Sequence, residues 1–364
     1  MHNVGSFRKY IGKKTQLMAI IKANAYGHDA KLILPIILKS GASWIGVDSI
    51  DEALNIKDIG DEVPILILGY TPIARLLDAA RHGFRLTIYN TETIRALGKI
   101  AKTHKLVIRV HIKCETGTTR QGVVLSELVP FAKFIGTFPG LILEGLSTHF
   151  ANSEDVRDAS YVSRQLVAFK RAYTALENVG IRVPVRHTAC TAATLRFPET
   201  HFNLVRVGLG LYGLWPYSGV PSEIKKGWTS DSLKPILTWK TIVAQIKTVA
   251  KGTPIGYGLT ERVARASKIA VIPVGYWDGY DRKLSSVGTV LIHGKTAKVM
   301  GRICMNMMMV DVTNIKGVRL EDEVVLIGRQ GGGVVTANDM AKKIGTINYE
   351  VVTRINPMIP RILV

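Results

Sequence analysis

The sequence is short of cysteine, of acidic residues and of long apolar runs, and each shortage excludes something. Its three cysteines, Cys114, Cys190 and Cys304, are far apart and odd in number. None lies at metal-ligand spacing from another, so no metal site or disulfide framework is expected, and a reducing compartment, the cytoplasm, is. No apolar stretch approaches the roughly 20 residues that a membrane helix needs, which removes a membrane partner from the expectations. The opening MHNVGSFRKYIGKK has no apolar core of signal-peptide length. Against 48 Lys and Arg stand only 28 Asp and Glu, a formal net charge of +20. That excess is spread along the chain, with pairs such as Lys13-Lys14 as its longest runs, and no aromatic RNA-binding motif accompanies it. A nucleic-acid partner is therefore not expected; a basic surface also attracts small anions.

What the chain does contain is a 364-residue alternation with 47% hydrophobic residues, enough for two domains. Short β-branched runs at 17–21, 44–47, 65–68, 86–89, 106–112, 141–146, 183–186 and 204–207 read as strands. Amphipathic stretches such as 50–59, 91–103, 125–136, 159–179 and 192–197 lie between them. Strand and helix in alternation imply parallel strands with crossover helices, and a count of eight implies a closed (β/α)8 barrel of the TIM type. Past about Ser230 the texture changes to strands without long helices: 236–249, 267–273, 289–292, 295–300, 307–312 and 323–327. The expected organisation is an α/β barrel over 1–228 followed by a smaller all-β C-terminal domain over 229–364. The Pro-, Gly- and Ser-rich segment 216–232 is the linker.

In such barrels chemistry sits at the C-terminal ends of the strands. The stretch MAIIKANAYGHDA, 18–30, ends an apolar run on Lys22. The fifth strand runs into Lys113, followed by Arg120; the sixth ends near His149, the seventh at His187, and the eighth carries Arg206. A single cation at a strand end is most simply a snorkelling or hydrogen-bonded side chain. Five such strand ends at one mouth describe a cationic site. The run GLGLYG, 208–213, matches a dinucleotide fingerprint in form only, because a Pro/Gly-rich segment follows it where that fingerprint requires a helix. A glycine turn after the eighth strand can instead hold a phosphate with its backbone N–H groups. A lysine beside cations and a phosphate cradle together suggest pyridoxal phosphate, with Lys22 as its imine partner.

At this point the motifs carry a resemblance. IIKANAYGHDA, KCETGTTRQG (113–122), EGLSTHFANSE (144–154), HTACTAATLRFP (187–198), NLVRVGLGLYG (203–213), PIGYGLT (254–260), PVGYWDGYDR (273–282), GRICMNMMMVDV (301–312) and GTINYEVVTRI (345–355) resemble, in order, the motifs of bacterial alanine racemases, the pyridoxal-phosphate enzymes of fold type III. The resemblance implies interconversion of L- and D-alanine by two bases on opposite faces, Lys22 and Tyr257, supplying D-alanine for peptidoglycan. It implies that Lys22 holds the cofactor as an internal aldimine and that Tyr257 reaches across from the partner subunit of a homodimer. Tyr26, Thr191, Gly208, Leu209 and Tyr349 would bind the phosphate, His149 would pack against the pyridine ring, and Arg206, supported by His187, would bond the pyridine nitrogen. Arg120 and the backbone of Met305 would hold the substrate carboxylate, Lys113 would carry a carbamate that orients Arg120, and Tyr276 would line the entrance.

Four departures from the family pattern accompany the resemblance. Only 21 residues precede Lys22, so the family's opening strand is expected to be absent. Cys114-Glu115 and Thr118 replace the common Leu-Asp and Met. Thr118, beside Arg120, is the position from which a shifted substrate range would arise, and a broader-specificity or serine racemase is the alternative. Asn306 stands where many members have Asp, and Pro357-Met358 replaces a common Tyr-Arg-like pair. A fold-III decarboxylase is a more distant alternative, since those enzymes place an acid at the pyridine nitrogen where this chain has Arg206.

Overall fold

The computed structural model describes the whole chain except residues 61, 62, 218–223 and 225–227, so the expected linker at 216–232 lies partly outside the described residues. Strands β1 (Gln16–Ile20), β2 (Trp44–Val47), β3 (Ile65–Ile67), β4 (Arg85–Ile88), β5 (Ile108–Lys113), β6 (Leu141–Ser147), β7 (Val185–His187) and β8 (Leu204–Val207) are parallel, in the order β7-β6-β5-β4-β3-β2-β1-β8. This is the expected barrel, with every strand end within two residues of its sequence-based position. The reason is visible in β1, where Leu17, Met18 and Ala19 have no exposed surface; a parallel strand between helices is apolar on both faces.

The barrel closes where β1 pairs with β8. Between β7 and β8 the described residues form no ladder, and the seam is joined otherwise. Asn203 accepts from Arg186 N at 2.8 Å and donates to Pro184 O at 2.6 Å, while Arg206 N donates to Ala189 O at 2.9 Å. The opening residues form a helix, His2–Ile11, rather than a strand. Its Phe7 ring occupies the space that a Cβ at Gly210 would need, and Asn3 bonds Leu211 O and both backbone groups of Lys234.

Two compact units divide the chain: Met1–Ala25 with Asp29–Pro235, and Tyr26–His28 with Ile236–Val364. The second contains β9 (Trp239–Ile242), β10 (Gln245–Val249), β11 (Pro254–Ile255), β12 (Glu261–Arg262), β13 (Ser267–Ile272), β14 (Thr289–Ile292), β15 (Lys295–Met300), β16 (Met308–Asp311), β17 (Glu323–Gln330) and β18 (Gly333–Val335). Its main sheet is antiparallel, in the order β10-β13-β16-β15-β14-β17-β18, with β9 also on β17. The single run read at 236–249 is thus two strands that pair with different partners. Two short helices, Ala337–Ile344 and Asn348–Thr353, follow the sheet; the first is entered through a reciprocal Thr336–Asp339 cap.

Candidate active site

Just past β1 the backbone turns left-handed. Ala23, Asn24, Ala25 and Tyr26 have φ of 52°, 51°, 55° and 54°, a conformation that costs an L-residue roughly 1–2 kcal/mol. Several bonds impose it on the barrel side. Ala23 N donates to Glu52 Oε1 at 2.6 Å, Ala30 N to Asn24 Oδ1 at 2.8 Å, and Ala25 N to Ile21 O at 2.8 Å. The Tyr212 hydroxyl donates to Ile20 O at 2.7 Å and fixes the strand end. Strain over-determined in this way collects at functional sites. Lys22 stands at the start of the turn, half-buried, with its Nζ 3.4 Å from Asp48 Oδ1. It is therefore a partly solvated, paired cation and not a buried one.

Across the mouth Arg206 is buried and serves as a hub. Its Nη1 donates to His187 Nδ1 at 2.8 Å and to His187 O at 2.7 Å. Its Nη2 donates to Thr148 O at 2.7 Å and Thr188 O at 2.8 Å, and lies 3.3 Å from His149 Nδ1. A guanidinium has five N–H groups, and the one that takes no part in these bonds is on Nε. Burial pushes the Arg206 pKa down to about 10, still far above neutrality, so the group stays charged. His149 and His187 are held well below the usual imidazole value, by burial first and then by neighbouring cations, Lys113 and Arg206 in front of His149 and Arg206 foremost at His187. Both are neutral at pH 7.

Lys113 ends β5, is buried, and makes no side-chain hydrogen bond or ion pair among the described residues. Burial, then Arg206 and Arg120, pushes its pKa well down, which raises the share of neutral, nucleophilic amine. The loop after it is wound on Glu115, whose carboxylate accepts from Gly117 N at 2.5 Å, Thr118 N at 2.6 Å and Arg120 N at 3.4 Å. Burial opposes ionisation of Glu115, yet these N–H groups hold its pKa below the usual carboxylate range. Arg120 stands exposed on that loop. Thr191 opens the helix Thr191–Arg196 and accepts from Gly208 N at 3.1 Å, and Leu209 begins the short 3-10 helix Leu209–Tyr212. The first N–H groups of such turns lack carbonyl partners within them, so they are available to an anion.

The barrel unit thus brings together Lys22, Lys113, Arg120, His149, His187, Thr191, Arg206, Gly208 and Leu209. Tyr26, Tyr257, Tyr276, Met305, Asn306 and Tyr349 belong to the second unit. There the Tyr26 and Tyr349 rings are 6.0 Å apart. Tyr257 lies on a turn with Gly256 and Gly258 at φ 72° and is 70% exposed. Tyr276 N donates to Cys304 O and Trp277 N to Met305 O, which ties two loops into a surface carrying exposed Tyr276, Trp277, Met305 and Met307. Three residues of the barrel site were missed in the sequence, Asp48, His111 and Glu144. For His111 a signal existed: in IRVHIK it shares a strand face with Lys113, two residues on. Among the described residues no cluster of His, Cys, Asp or Glu is placed to hold a metal ion.

Comparison with known proteins agrees with this geometry. Residues 1–216 match the family described as alanine racemase, N-terminal domain, and 236–363 match alanine racemase, C-terminal domain. The alanine racemase of Leptospira interrogans is 39% identical over 371 residues, covering 100% of this chain and 93% of that one. The alanine racemase of Bacillus anthracis, solved with bound L-Ala-P, has a TM-score of 0.89 at 36% identity, covering 97% of this chain and 89% of that one. That of Bartonella henselae, solved with covalently bound pyridoxal phosphate, has a TM-score of 0.84 at 27% identity, covering 97% and 94%.

Proposed function

The chain belongs to the alanine racemase family, and from that premise we propose how its own residues interconvert L- and D-alanine. The observation that carries the reading is Arg206, a buried guanidinium with both Nη atoms engaged and Nε outside those bonds. That donor set suits a ring nitrogen that must receive a hydrogen bond and no proton. The neutral His149, the lysine at the strand end and the turn formed by Thr191, Gly208 and Leu209 likewise fit pyridoxal phosphate. When bound, pyridoxal phosphate supplies an electron sink that makes the Cα proton of the amino acid acidic.

Lys22 holds the cofactor through its amine and moves a proton on one face of Cα. Tyr257 of the partner subunit moves it on the other face. Arg206 would donate to the ring nitrogen from Nε and keep its own proton, which would limit the sink and discourage side reactions. His149 packs against the ring. Tyr26, Thr191, Gly208, Leu209 and Tyr349 hold the phosphate. Arg120 and the Met305 backbone hold the substrate carboxylate, with Lys113, as a carbamate, orienting Arg120; Tyr276 lines the entrance and Asn306 supports the Met305 loop. The exposed Tyr276, Trp277, Met305 and Met307 surface supports a homodimer, because large apolar patches of this kind mark interaction sites. The product would supply peptidoglycan from the cytoplasm; among the described residues no helix is long and apolar enough to cross a membrane.

The test is turnover of L-alanine beside a panel of other L-amino acids, by the wild-type protein loaded with pyridoxal phosphate and by Tyr257→Phe. Alanine should rank first. Tyr257→Phe should lower turnover by about 10²- to 10⁴-fold, the usual worth of a positioned acid–base group, and leave the visible absorbance of the lysine-bound cofactor in place. Unchanged turnover removes Tyr257 from the mechanism, and a low rank for alanine removes the substrate assignment.

A further inference from the structure

Beneath Arg206 and its neighbour His187 the barrel interior continues in two polar groups, His111 and Glu144, to which the racemisation scheme gives no role. His187 Nε2 lies 2.9 Å from His111 Nδ1, and His111 Nε2 lies 3.1 Å from Glu144 Oε2. His111 and His187 have no exposed surface. The direction of every proton in the file follows from one fact: a guanidinium only donates. Because Arg206 Nη1 donates to His187 Nδ1, that nitrogen is bare and His187 carries its proton on Nε2. That N–H must find a bare His111 Nδ1, so His111 in turn carries its proton on Nε2 and donates it to Glu144. Each neutral imidazole has one donor and one acceptor nitrogen, and here each is used once.

Two features of β6 exist for this file. The pairing of β5 with β6 runs Val110 to Leu143 and then His111 to Gly145, so Glu144 is the extra residue of a bulge. Bulges re-aim a side chain, and they gather beside active sites. Gly145 leaves room for the imidazole: a Cβ there would lie 2.1 Å from His111 Nδ1. At the far end Glu144 is fixed as a carboxylate by Arg85 Nε and Arg109 Nε, each 3.4 Å away. Burial works against that ionisation, but the His111 bond and the two arginines hold the Glu144 pKa below its usual value.

We propose that Arg206, His187, His111 and Glu144 form a one-way hydrogen-bond relay that orients the Arg206 guanidinium, with Nε–H left for the mouth, and balances its charge from inside the barrel. His111 and Glu144 are then positioning residues for the reaction, acting through Arg206. The inference rests on the reading of Arg206 given above for its end effect, but the relay itself is measurable without cofactor. Reversal of either ring would set an N–H against an N–H at Arg206 or between the imidazoles, and the guanidinium would have to turn.

The experiment is side-chain 15N NMR of histidine-labelled full-length protein, without cofactor at neutral pH, with kinetics of the loaded protein alongside. In the wild type His111 and His187 should both be neutral with the proton on Nε2. Glu144→Leu removes the terminal acceptor. It should leave both tautomers, which Arg206 sets, shift the His111 Nε2 resonance whose N–H has lost its acceptor, and lower kcat on the order of tenfold, as loss of a supporting group typically does, with KM for alanine changed by less than about twofold. Glu144→Gln keeps an acceptor oxygen and should restore the His111 Nε2 resonance and most of the turnover. If Glu144→Leu does not fold, Gly145→Ala displaces the His111 ring and is read in the same way. A wild-type ring protonated on Nδ1 or cationic, or a Glu144→Leu protein with full turnover, overturns the relay. Correct tautomers in a wild type that fails to racemise alanine would overturn the functional reading instead.

Discussion

Thr118 donates its hydroxyl to His149 O at 2.5 Å, and Gln165, buried beneath, donates to the same carbonyl at 3.0 Å. Gln165 Nε2 also reaches Thr116 Oγ1 at 3.2 Å, and its Oε1 accepts from Ala151 N at 2.8 Å. Read in the sequence, Thr118 is a pocket residue because it stands two positions from Arg120. Its hydroxyl is instead engaged with the segment after β6, which carries His149. Thr118→Val keeps the shape and removes the donor. It should cost about 1 kcal/mol of stability, the net worth of one such bond, and leave the ratio of serine to alanine turnover unchanged. Thermal unfolding and the amino-acid panel read the two halves of this prediction separately; a changed ratio would return Thr118 to the pocket.

At the scale of elements, the loop from Glu115 to Gly122 depends on one carboxylate that collects the N–H groups of Gly117, Thr118 and Arg120. Glu115→Ala should loosen the loop and with it Arg120. Loss of a group that binds the substrate carboxylate equally in ground and transition states raises KM and spares kcat, so KM for alanine should rise on the order of tenfold with kcat nearly constant. A fall in kcat at constant KM would refute this role. The barrel itself was legible because each strand is an apolar run bounded by turns, and the mouth because barrel strands deliver their last side chains to one end. The relay was not, since nothing in LILEGLS announces that Glu144 is a bulge residue aimed inward; in a regular pairing it would alternate with its neighbours. The assignment of Tyr26–His28 to the second unit is likewise a tertiary fact, and no local periodicity marks it. The Thr336–Asp339 pair is a helix-start signal that the sequence carries, and the helix after it has eight residues.

At the scale of the whole molecule, the neutral imidazoles couple the fold to pH. His187 is depressed by burial, then by Arg206, and His111 by burial against the pull of Glu144. In the unfolded chain both return to about 6.5. Below that pH the unfolded state binds protons that the folded state refuses, so stability falls as pH falls, by up to about 1.4 kcal/mol per pH unit for each ring. Lys113 acts in the same sense over a different window. As a free amine its folded pKa is also depressed, so its share of stability declines as pH drops from about 10.4 towards that depressed folded value. The formal charge of +20 adds self-repulsion as acid protonates carboxylates. Thermal unfolding of the cofactor-free protein should therefore show a shallow decline from pH 10 to 7 and a steeper one below about 6.5. The doubly substituted His111→Gln, His187→Gln protein, whatever its absolute stability, should keep the shallow part and a reduced steeper one, the remainder belonging to His149 and His201, whose pKa values are also depressed. An equal slope below pH 6.5 in both proteins would mean that the imidazoles are not the neutral, proton-refusing groups that the barrel interior makes them.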